Sequence, residues 1–273
     1  MMPEYDEKQT WATRRTTFLL VVLLAAVVRV WVGWDADPLD LDVGHFVRYG
    51  KALANGNPSG FSHHWSLGPI LLTALTHRLG LDPLFWLQLS TIIAGVVAVG
   101  ACMVMVYRLC RIWSVALLAG LLMSCNPSML VYSVNSMGEM PFIALMLLAA
   151  AIQLPPEGTT RHHPGRFLSA GALLGLGYLY RPIESYLAFG LLGLWQLHYA
   201  WTSRAFSRLL WIGLGAAVFI SFSMPQTVVT KIRTGVWSPS TKFSMLVYRD
   251  FGTDSKAMYG LNTPLQEEQR RYQ

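Results

Sequence analysis

Of the 273 residues in the chain, 53% are apolar and only 13% are charged, against about 25% charged in an ordinary soluble domain. This composition excludes a soluble globular domain and predicts an all-α, polytopic membrane protein. The net charge is +6, but the basic residues lie mostly between apolar runs, where they orient a membrane protein, so no nucleic-acid partner is expected. The three cysteines lie in or beside apolar runs, so no disulfide framework is expected.

About seven transmembrane helices are predicted in chain order. Residues 1–15 are polar and contain three basic residues, so they are predicted to be a cytoplasmic N-terminus that precedes an uncleaved first span. A transmembrane module is expected over residues 16–229, and residues 230–273 are expected to form an external C-terminal tail. The candidate spans are residues 17–34, 83–107, 112–132, 141–154, 167–180, 186–201 and 209–229.

One further apolar stretch, Leu67–Leu75, ends after about half a span, where His77 and Arg78 interrupt it. If this stretch does not cross the membrane, all the short basic loops face the cytoplasm, as the positive-inside rule favours. Residues 67–80 are therefore predicted to form an interfacial or re-entrant helix within an external loop over residues 35–82. The basic loops are those that contain Arg108 and Arg111, Arg161 and Arg166, and Arg204 and Arg208.

The same topology places the acidic residues together on the external face. Four aspartates follow the first span, Glu139 precedes the fourth span, and Glu184 follows Arg181 at the outer end of the fifth. The aspartates are Asp35, Asp37, Asp40 and Asp42. Asp35 and Asp37 are interpreted as solvated loop charges.

A short amphipathic helix is predicted within the external loop. Apolar residues repeat at i, i+3, i+4 and i+7 over residues 43–54, which indicates a helix on the membrane surface. Asp42 stands at the expected N-cap, and Asn55 and Gly56 stand at the expected C-cap.

Several motifs form an ordered set along the chain. The external loop reads "DVGHFVRYGKALANG", with an acid at Asp42 and an aromatic residue at Phe46, and Arg29 lies near the end of the first span. The later motifs are "SLGPILLTALTHRLG", "GEMPFIALMLLA" with Glu139, "GLGYLYRPIES" with Arg181, and "RTGVWSPSTKF". In this order they resemble the GT-C superfamily of polytopic membrane glycosyltransferases, which includes protein O-mannosyltransferases and lipid A aminoarabinose transferases. Members typically have a tyrosine in place of Phe46 and continue for several more spans, so a truncated member is one interpretation.

The resemblance implies an inverting glycosyltransferase that moves a sugar from a polyprenyl-phosphate-linked donor to an acceptor hydroxyl on the outer or lumenal face. Such a transfer needs a general base, for which Asp42 is the first candidate and Asp40 its rival, with Glu139 as a second active-site acid. It also needs a cation for the departing phosphate, for which Arg181 is the first candidate and Arg29 the second. Arg29 is better suited as a partner for the acids of the external loop. Supporting roles are expected for Glu184, Phe46 and His64.

Simpler interpretations of the same residues stay open. Asp42 could only cap its helix, Glu139 could only stabilise a helix start through the dipole, and Arg181 could only extend to the membrane surface. His63 and His64 are interpreted as loop histidines, because no ligand spacing supports a metal site there. No metal ligand is assigned, and a divalent cation as cofactor stays open.

The expected partners are the polyprenyl-phosphate sugar, membrane lipid, and an acceptor that is a protein, a lipid or a glycan. The expected location is a multi-pass position in the prokaryotic plasma membrane, with the active site facing outward. Two other classes are kept as hypotheses. A polytopic transporter or lipid flippase would place charges or broken helices at mid-depth, and a non-catalytic truncated relative would leave the external acids without a role.

Overall fold

The computed structural model describes residues 4–34, 41–57, 65–155, 165–202, 207–234 and 237. All regular structure within these ranges is helical, which confirms the predicted all-α class. The helices are α1 (Glu4–Trp34), α2 (Leu41–Ala54), α3 (Leu67–Arg78), α4 (Pro83–Cys110), α5 (Trp113–Cys125), α6 (Pro127–Val134), α7 (Glu139–Gln153), α8 (Gly165–Tyr178), α9 (Pro182–Thr202) and α10 (Ser207–Thr234).

The predicted span over residues 112–132 is two helices rather than one. α5 ends at Cys125 and α6 begins at Pro127, with a bend of 57° between them. Asn126 is extended, as expected for a residue before proline, and its side chain accepts a hydrogen bond from the Met129 backbone N–H at 3.1 Å. The break follows from Pro127, which has no N–H to continue the helix and is favoured at a first helical position.

The predicted number of seven spans is not confirmed. Three helical segments within the described residues are long and apolar enough to cross a membrane: Trp11–Trp34, Pro83–Cys110 and Arg208–Ile232. The bent pair α5 and α6 adds a fourth if it counts as one span. α7 is apolar but has only 15 residues, about 22 Å at 1.5 Å per residue.

Contacts between helices define two ends of the bundle. At one end, Arg14 Nη1 donates to the Tyr107 hydroxyl at 2.8 Å, and Arg108 Nη1 donates to the Leu154 carbonyl at 3.2 Å. At the other end, Gln88 Nε2 donates to the Gly33 carbonyl at 2.9 Å. α1 and α4 are therefore antiparallel neighbours.

We call the first of these the basic end and the second the acidic end. Within the described residues, the basic end carries Arg14, Arg15, Arg108, Arg111, Arg166 and Arg208. The acidic end is named for Asp42, Asp82, Glu139 and Glu184, and it also carries the basic residues Arg48, Lys51, Arg78, Arg181 and Lys231. Which end faces the cytoplasm stays a prediction.

The segment between α1 and α4 begins and ends at the acidic end of the bundle, because Gly33 and Gln88 are in contact. α3 has 12 residues, about 18 Å in length, which is well short of a bilayer core of about 30 Å. α2 and α3 pack together on the start of α4 through Val43, Phe46, Ile70 and Leu87. Residues 67–78 therefore form a short helix, and whether it lies at the membrane surface, as the basic loops predict, stays a prediction.

Close packing between α8 and α10 supports the turn that carries Arg181. A side chain at Gly171 of α8 would collide with the Gly215 carbonyl of α10. The two helix backbones are therefore in close contact, which small residues make possible in membrane helices. Nearer the acidic end, the Phe219 ring stacks on Phe189 with centroids 4.4 Å apart and meets Tyr178 edge-on at 6.3 Å.

Candidate functional site at the acidic end

Arg181 lies in the short turn between α8 and α9. Its backbone N–H donates to the Gly177 carbonyl at 2.9 Å, which closes the end of α8, and its carbonyl accepts from the Ser185 N–H at 3.0 Å. Pro182 opens α9 at a position where proline is favoured. The local sequence thus fixes the Arg181 backbone just before a helix start.

The Arg181 guanidinium binds two carboxylates. It forms an ion pair with Glu139, the first residue of α7, and its Nη1 lies 3.6 Å from Glu184 Oε1. The exposed side-chain fractions are 34% for Arg181, 20% for Glu139 and 45% for Glu184, so the pair with Glu139 is the less solvated one. We call these three residues the Arg181 cluster. The structure brings together three residues that the sequence selected separately.

The turn that holds Arg181 is clamped by the starts of α3 and α7. The Ser66 hydroxyl donates to the Tyr180 carbonyl at 2.6 Å, and the Gly68 N–H donates to the Leu179 carbonyl at 2.7 Å. On the other side, a Cβ at Gly138 would lie 3.0 Å from the Tyr180 carbonyl oxygen.

Buried polar atoms without a hydrogen-bond partner occur within this cluster and close to it in sequence. Within the described residues, they include Glu139 Oε2, Ser136 Oγ and Ser185 Oγ. Ser136 has φ of 54°, an uncommon left-handed conformation for serine. Sequence reasoning missed Ser136 and Ser185, because neither belongs to a motif. The only local signal was the turn composition of "NSMG" before Glu139.

Asp42 lies in the first turn of α2 rather than at its N-cap, because the helix begins at Leu41. The predicted cap position was therefore wrong, and errors of one or two residues are common at helix ends. The Asp42 side chain is half-buried. The other end of α2 is as predicted, since Gly56 has φ of +76° and its N–H donates to the Leu53 carbonyl at 3.0 Å.

An aromatic contact links α2 to the clamp. His45 stacks on Trp65 with ring centroids 4.6 Å apart, and the buried Phe46 meets Trp65 edge-on at 6.0 Å. Trp65 precedes Ser66, which binds the turn of Arg181. The first turns of α2 and the Arg181 cluster are therefore both anchored to residues 65–68. Phe46 contributes by packing, and His45 was missed by sequence reasoning.

The remaining predicted residues are not in this cluster. Asp40 and His64 lie outside the described residues, as do Asp35, Asp37 and His63. Arg29 is fully buried among α1, α4, α5 and α6 and is not part of the Arg181 cluster. Within the described part of the chain, no three residues of the types His, Cys, Asp and Glu come together as metal ligands would.

The fold and this cluster define an all-helical membrane protein with two carboxylates and a guanidinium at one end of its helices. The family model described as dolichyl-phosphate-mannose-protein mannosyltransferase matches residues 69–228, which is more than half of the chain. The chain therefore belongs to the dolichyl-phosphate-mannose-protein mannosyltransferase family, a glycosyltransferase family of the GT-C type, and the resemblance seen in its motifs is confirmed. No curated protein and no solved structure matches the chain.

The matched range covers one part of the predicted site and omits another. Residues 69–228 include all of the Arg181 cluster, but they begin after Asp42 and Phe46. The match therefore supports a glycosyltransferase at the level of the family, and the roles of individual residues are proposals.

Proposed function

We propose that this chain is an inverting glycosyltransferase that takes a sugar from a polyprenyl-phosphate donor and passes it to an acceptor hydroxyl at the acidic end of the bundle, on the outer face of the membrane. The observation that carries the proposal is the family match over residues 69–228, which spans the Arg181 cluster. The family description refers to a mannosyl donor on dolichyl phosphate and to a protein acceptor. Mannose and a protein hydroxyl are thus the first substrates to test.

Asp42 is the proposed general base. Its carboxylate is half-buried at the acidic end, and within the described residues it has no ion-pair partner that would compete for its lone pairs. It would take the proton of the acceptor hydroxyl as the oxygen attacks the anomeric carbon. The bond from that carbon to the phosphate oxygen breaks in the same step, and the polyprenyl phosphate leaves with the electron pair. Asp40 is the alternative base.

Arg181 is the proposed ligand of the donor phosphate. A guanidinium has five N–H donors, and the two carboxylates of the cluster contact only part of them. Glu139 orients the guanidinium as a less solvated partner, whereas the more exposed Glu184 is the contact that a phosphate oxygen would displace. The departing phosphate gains negative charge at this point, where a fixed cation lowers the barrier most.

The transporter or flippase hypothesis has two observations in its favour, the break between α5 and α6 and the buried Arg29. Both features are explained locally, because Arg29 is hydrogen-bonded within the bundle at that break. Family membership favours the enzyme. Transport of a labelled polyprenyl-phosphate sugar across proteoliposomes, with no transfer to any acceptor, would favour the flippase.

The direct test is a transfer assay on the full chain in proteoliposomes. Radiolabelled mannose is supplied either on a polyprenyl phosphate or on a soluble nucleotide, with a serine- and threonine-rich polypeptide as acceptor. We expect label to reach the acceptor from the lipid donor only. Two outcomes would overturn the proposal. One is transfer from the nucleotide sugar alone. The other is no transfer to protein, lipid or glycan acceptors from any of the mannosyl, glucosyl and aminoarabinosyl polyprenyl phosphates.

A further inference from the structure

Arg29 is a fully buried cation enclosed by α1, α4, α5 and α6, with 0% of its surface exposed. Within the described residues it has no carboxylate partner, although an unpaired charge is costly inside a membrane protein. Its Nε donates to the Ser133 hydroxyl at 3.1 Å, its Nη1 to the Ala25 carbonyl at 3.2 Å, and its Nη2 to the Met123 carbonyl at 3.4 Å.

The contact with Met123 explains how the charge is tolerated. In a continuous helix, the Met123 carbonyl would accept from the N–H of residue 127, but residue 127 is a proline and has none. Arg29 donates to the carbonyl that this proline leaves without its usual donor. The last turn of α5 also carries the negative end of the helix dipole, which favours a cation there.

The same arginine reaches the far side of the break. Ser133, near the end of α6, receives the Nε hydrogen bond, and its own hydroxyl donates to the Met129 carbonyl at 2.6 Å. The Ser133 carbonyl accepts from the Thr91 hydroxyl of α4 at 2.7 Å. A Cβ at Gly95 would lie 2.9 Å from Arg29 Cδ, so glycine makes room for the guanidinium. We call Arg29, Thr91, Gly95, Met123 and Ser133 the Arg29 junction.

We infer that Arg29 is a positioning residue that holds the bend between α5 and α6 by donating to both helices, and that it thereby sets where Glu139 meets Arg181. Ser133 precedes Glu139 by a short loop through Gly138, whose position is packed against Tyr180. A rotation of α6 about the break would move this loop and the start of α7. The guanidinium is suited to the task because its planar fork can serve several acceptors at once, which a lysine ammonium cannot do in the same geometry.

The inference about the bend is tested by distance measurement, without any assay of activity. Spin labels are placed at the exposed residues Leu118 of α5 and Val131 of α6, in a chain whose three cysteines are replaced by alanine. For Arg29→Met we expect the distance distribution to broaden and to shift toward the roughly 20 Å backbone span of a straight helix over this interval. A distribution unchanged from the parent would overturn the inference.

The matched control is Gln88→Leu, which removes a different hydrogen bond between α1 and α4 at the acidic end and does not touch the break. It should leave the distance distribution unchanged, and a change equal to that of Arg29→Met would overturn the specific role of Arg29. If Arg29→Met does not fold, Ser133→Ala is the substitute variant. It keeps the guanidinium and removes only its hydrogen bond to Ser133, and we expect it to broaden the distance distribution as well. An unchanged distribution in Ser133→Ala would then overturn the inference.

Pro127→Ala tests the link to the missing N–H. Alanine restores a donor for the Met123 carbonyl, so in this background Arg29→Met should change the distance distribution less than it does with proline present. An equal change in both backgrounds would contradict the assignment of the guanidinium as the substitute donor.

The link to Glu139 rests on the proposed function and has its own measurement. If Arg29 acts through Glu139, the loss of transfer rate in Ser133→Ala plus Glu139→Gln should be smaller than the product of the two separate losses. A loss equal to that product would overturn the link. A further outcome is that the spin-label distances change as expected while the unsubstituted chain transfers no sugar at all. That combination would support the inference about the bend and contradict the proposed function.

Discussion

Arg181 and Arg29 are two arginines of the same bundle whose charges are balanced in different ways. Arg181 lies at the acidic end, is one-third exposed, and is bound by two carboxylates. Arg29 is fully buried and is bound by two backbone carbonyls and one hydroxyl. At a partly exposed position, a carboxylate partner of an arginine can be replaced by another anion. Inside a packed bundle, neutral acceptors hold the cation in place.

The Arg181 cluster is therefore suited to binding and reaction of a substrate, and the Arg29 junction is suited to holding the helices in position. Substitutions of the charged side chains in the Arg181 cluster should therefore reduce sugar transfer more than they reduce stability. Substitutions in the Arg29 junction should first change the helix arrangement. The spin-label distances described above test the Arg29 junction, and the four predictions below test the acidic end, from the largest expected effect to the smallest.

Asp42→Asn should give the largest loss of activity. It removes the proposed base and keeps the shape of the side chain, so we expect transfer to fall by about 10²–10⁴-fold, with little change in the thermal unfolding temperature in detergent. The measurement is single-turnover transfer from the lipid donor. Full activity would remove Asp42 as the base and leave Asp40 as the candidate.

Asp82→Asn is the matched control for that substitution. Asp82 also lies at the acidic end, is exposed, and caps α4 by accepting from the Leu84 N–H at 3.0 Å. Asparagine caps as well as aspartate does, so transfer should stay within about twofold. A large loss in Asp82→Asn would indicate that general loss of negative charge, rather than the base, explains the effect at Asp42.

Arg181→Ala should lower kcat/KM for the lipid donor by about 10²-fold, because it removes the cation proposed to stabilise the leaving phosphate. Arg181→Lys keeps the charge but cannot contact both carboxylates in the same fork geometry, so we expect an intermediate loss. Steady-state rates over a range of donor concentrations check both. If KM for the donor and kcat are unchanged in Arg181→Ala, the phosphate role is wrong and a purely structural ion pair remains.

Gly68→Ala should disturb the turn that carries Arg181 through packing alone. The added Cβ would lie 2.9 Å from the Tyr180 ring, and such overpacking costs about 1–3 kcal/mol. Gly44→Ala in α2 is the control, since no atom lies within 4 Å of its Cβ position and alanine favours a helix by about 0.5–1 kcal/mol. The thermal unfolding temperature should fall in Gly68→Ala and not in Gly44→Ala. An equal change in the two variants would contradict the packing of Gly68 against the turn of Arg181.

Glu184→Gln should have the smallest effect. Its carboxylate lies 3.6 Å from Arg181 at an i, i+3 spacing and is 45% exposed, so the pair contributes about 0.3–0.5 kcal/mol. We expect less than a threefold change in transfer and a weaker dependence on salt. A loss as large as that of Arg181→Ala would assign Glu184 a direct part in the reaction.

Sequence reasoning placed most helices within a few residues, because apolar runs and helix caps are local properties of the chain. α4 begins at the predicted Pro83, and α7 begins two residues before the predicted Pro141. The prediction of helix bounds failed where a single residue interrupts a helix or where a polar segment extends one. Pro127 broke a span that hydropathy alone treats as continuous, and α1 extends back to Glu4 because a polar segment can continue a helix that has already formed.

The candidate site was predictable as a set of residues and not as an arrangement. Motif order selected Glu139, Arg181 and Glu184, and counting basic loops placed them at one end. Nothing in the sequence indicated that Arg181 binds Glu139, or that Ser66 and Gly68 clamp its turn. For Arg29, the sequence suggested a partner for the loop acids or a second phosphate ligand, whereas the structure places it at the helix break.

By itself, then, the sequence determined the all-helical class, the family and the sorting of acids from basic loops, because these depend on composition, spacing and hydropathy along the chain. Only the tertiary structure decided which charges are neighbours. Arg29 and Ser133 are 104 residues apart in sequence, and their contact depends on how α1 packs against α6. The roles of the two arginines differ because burial and choice of partner are properties of the packed bundle.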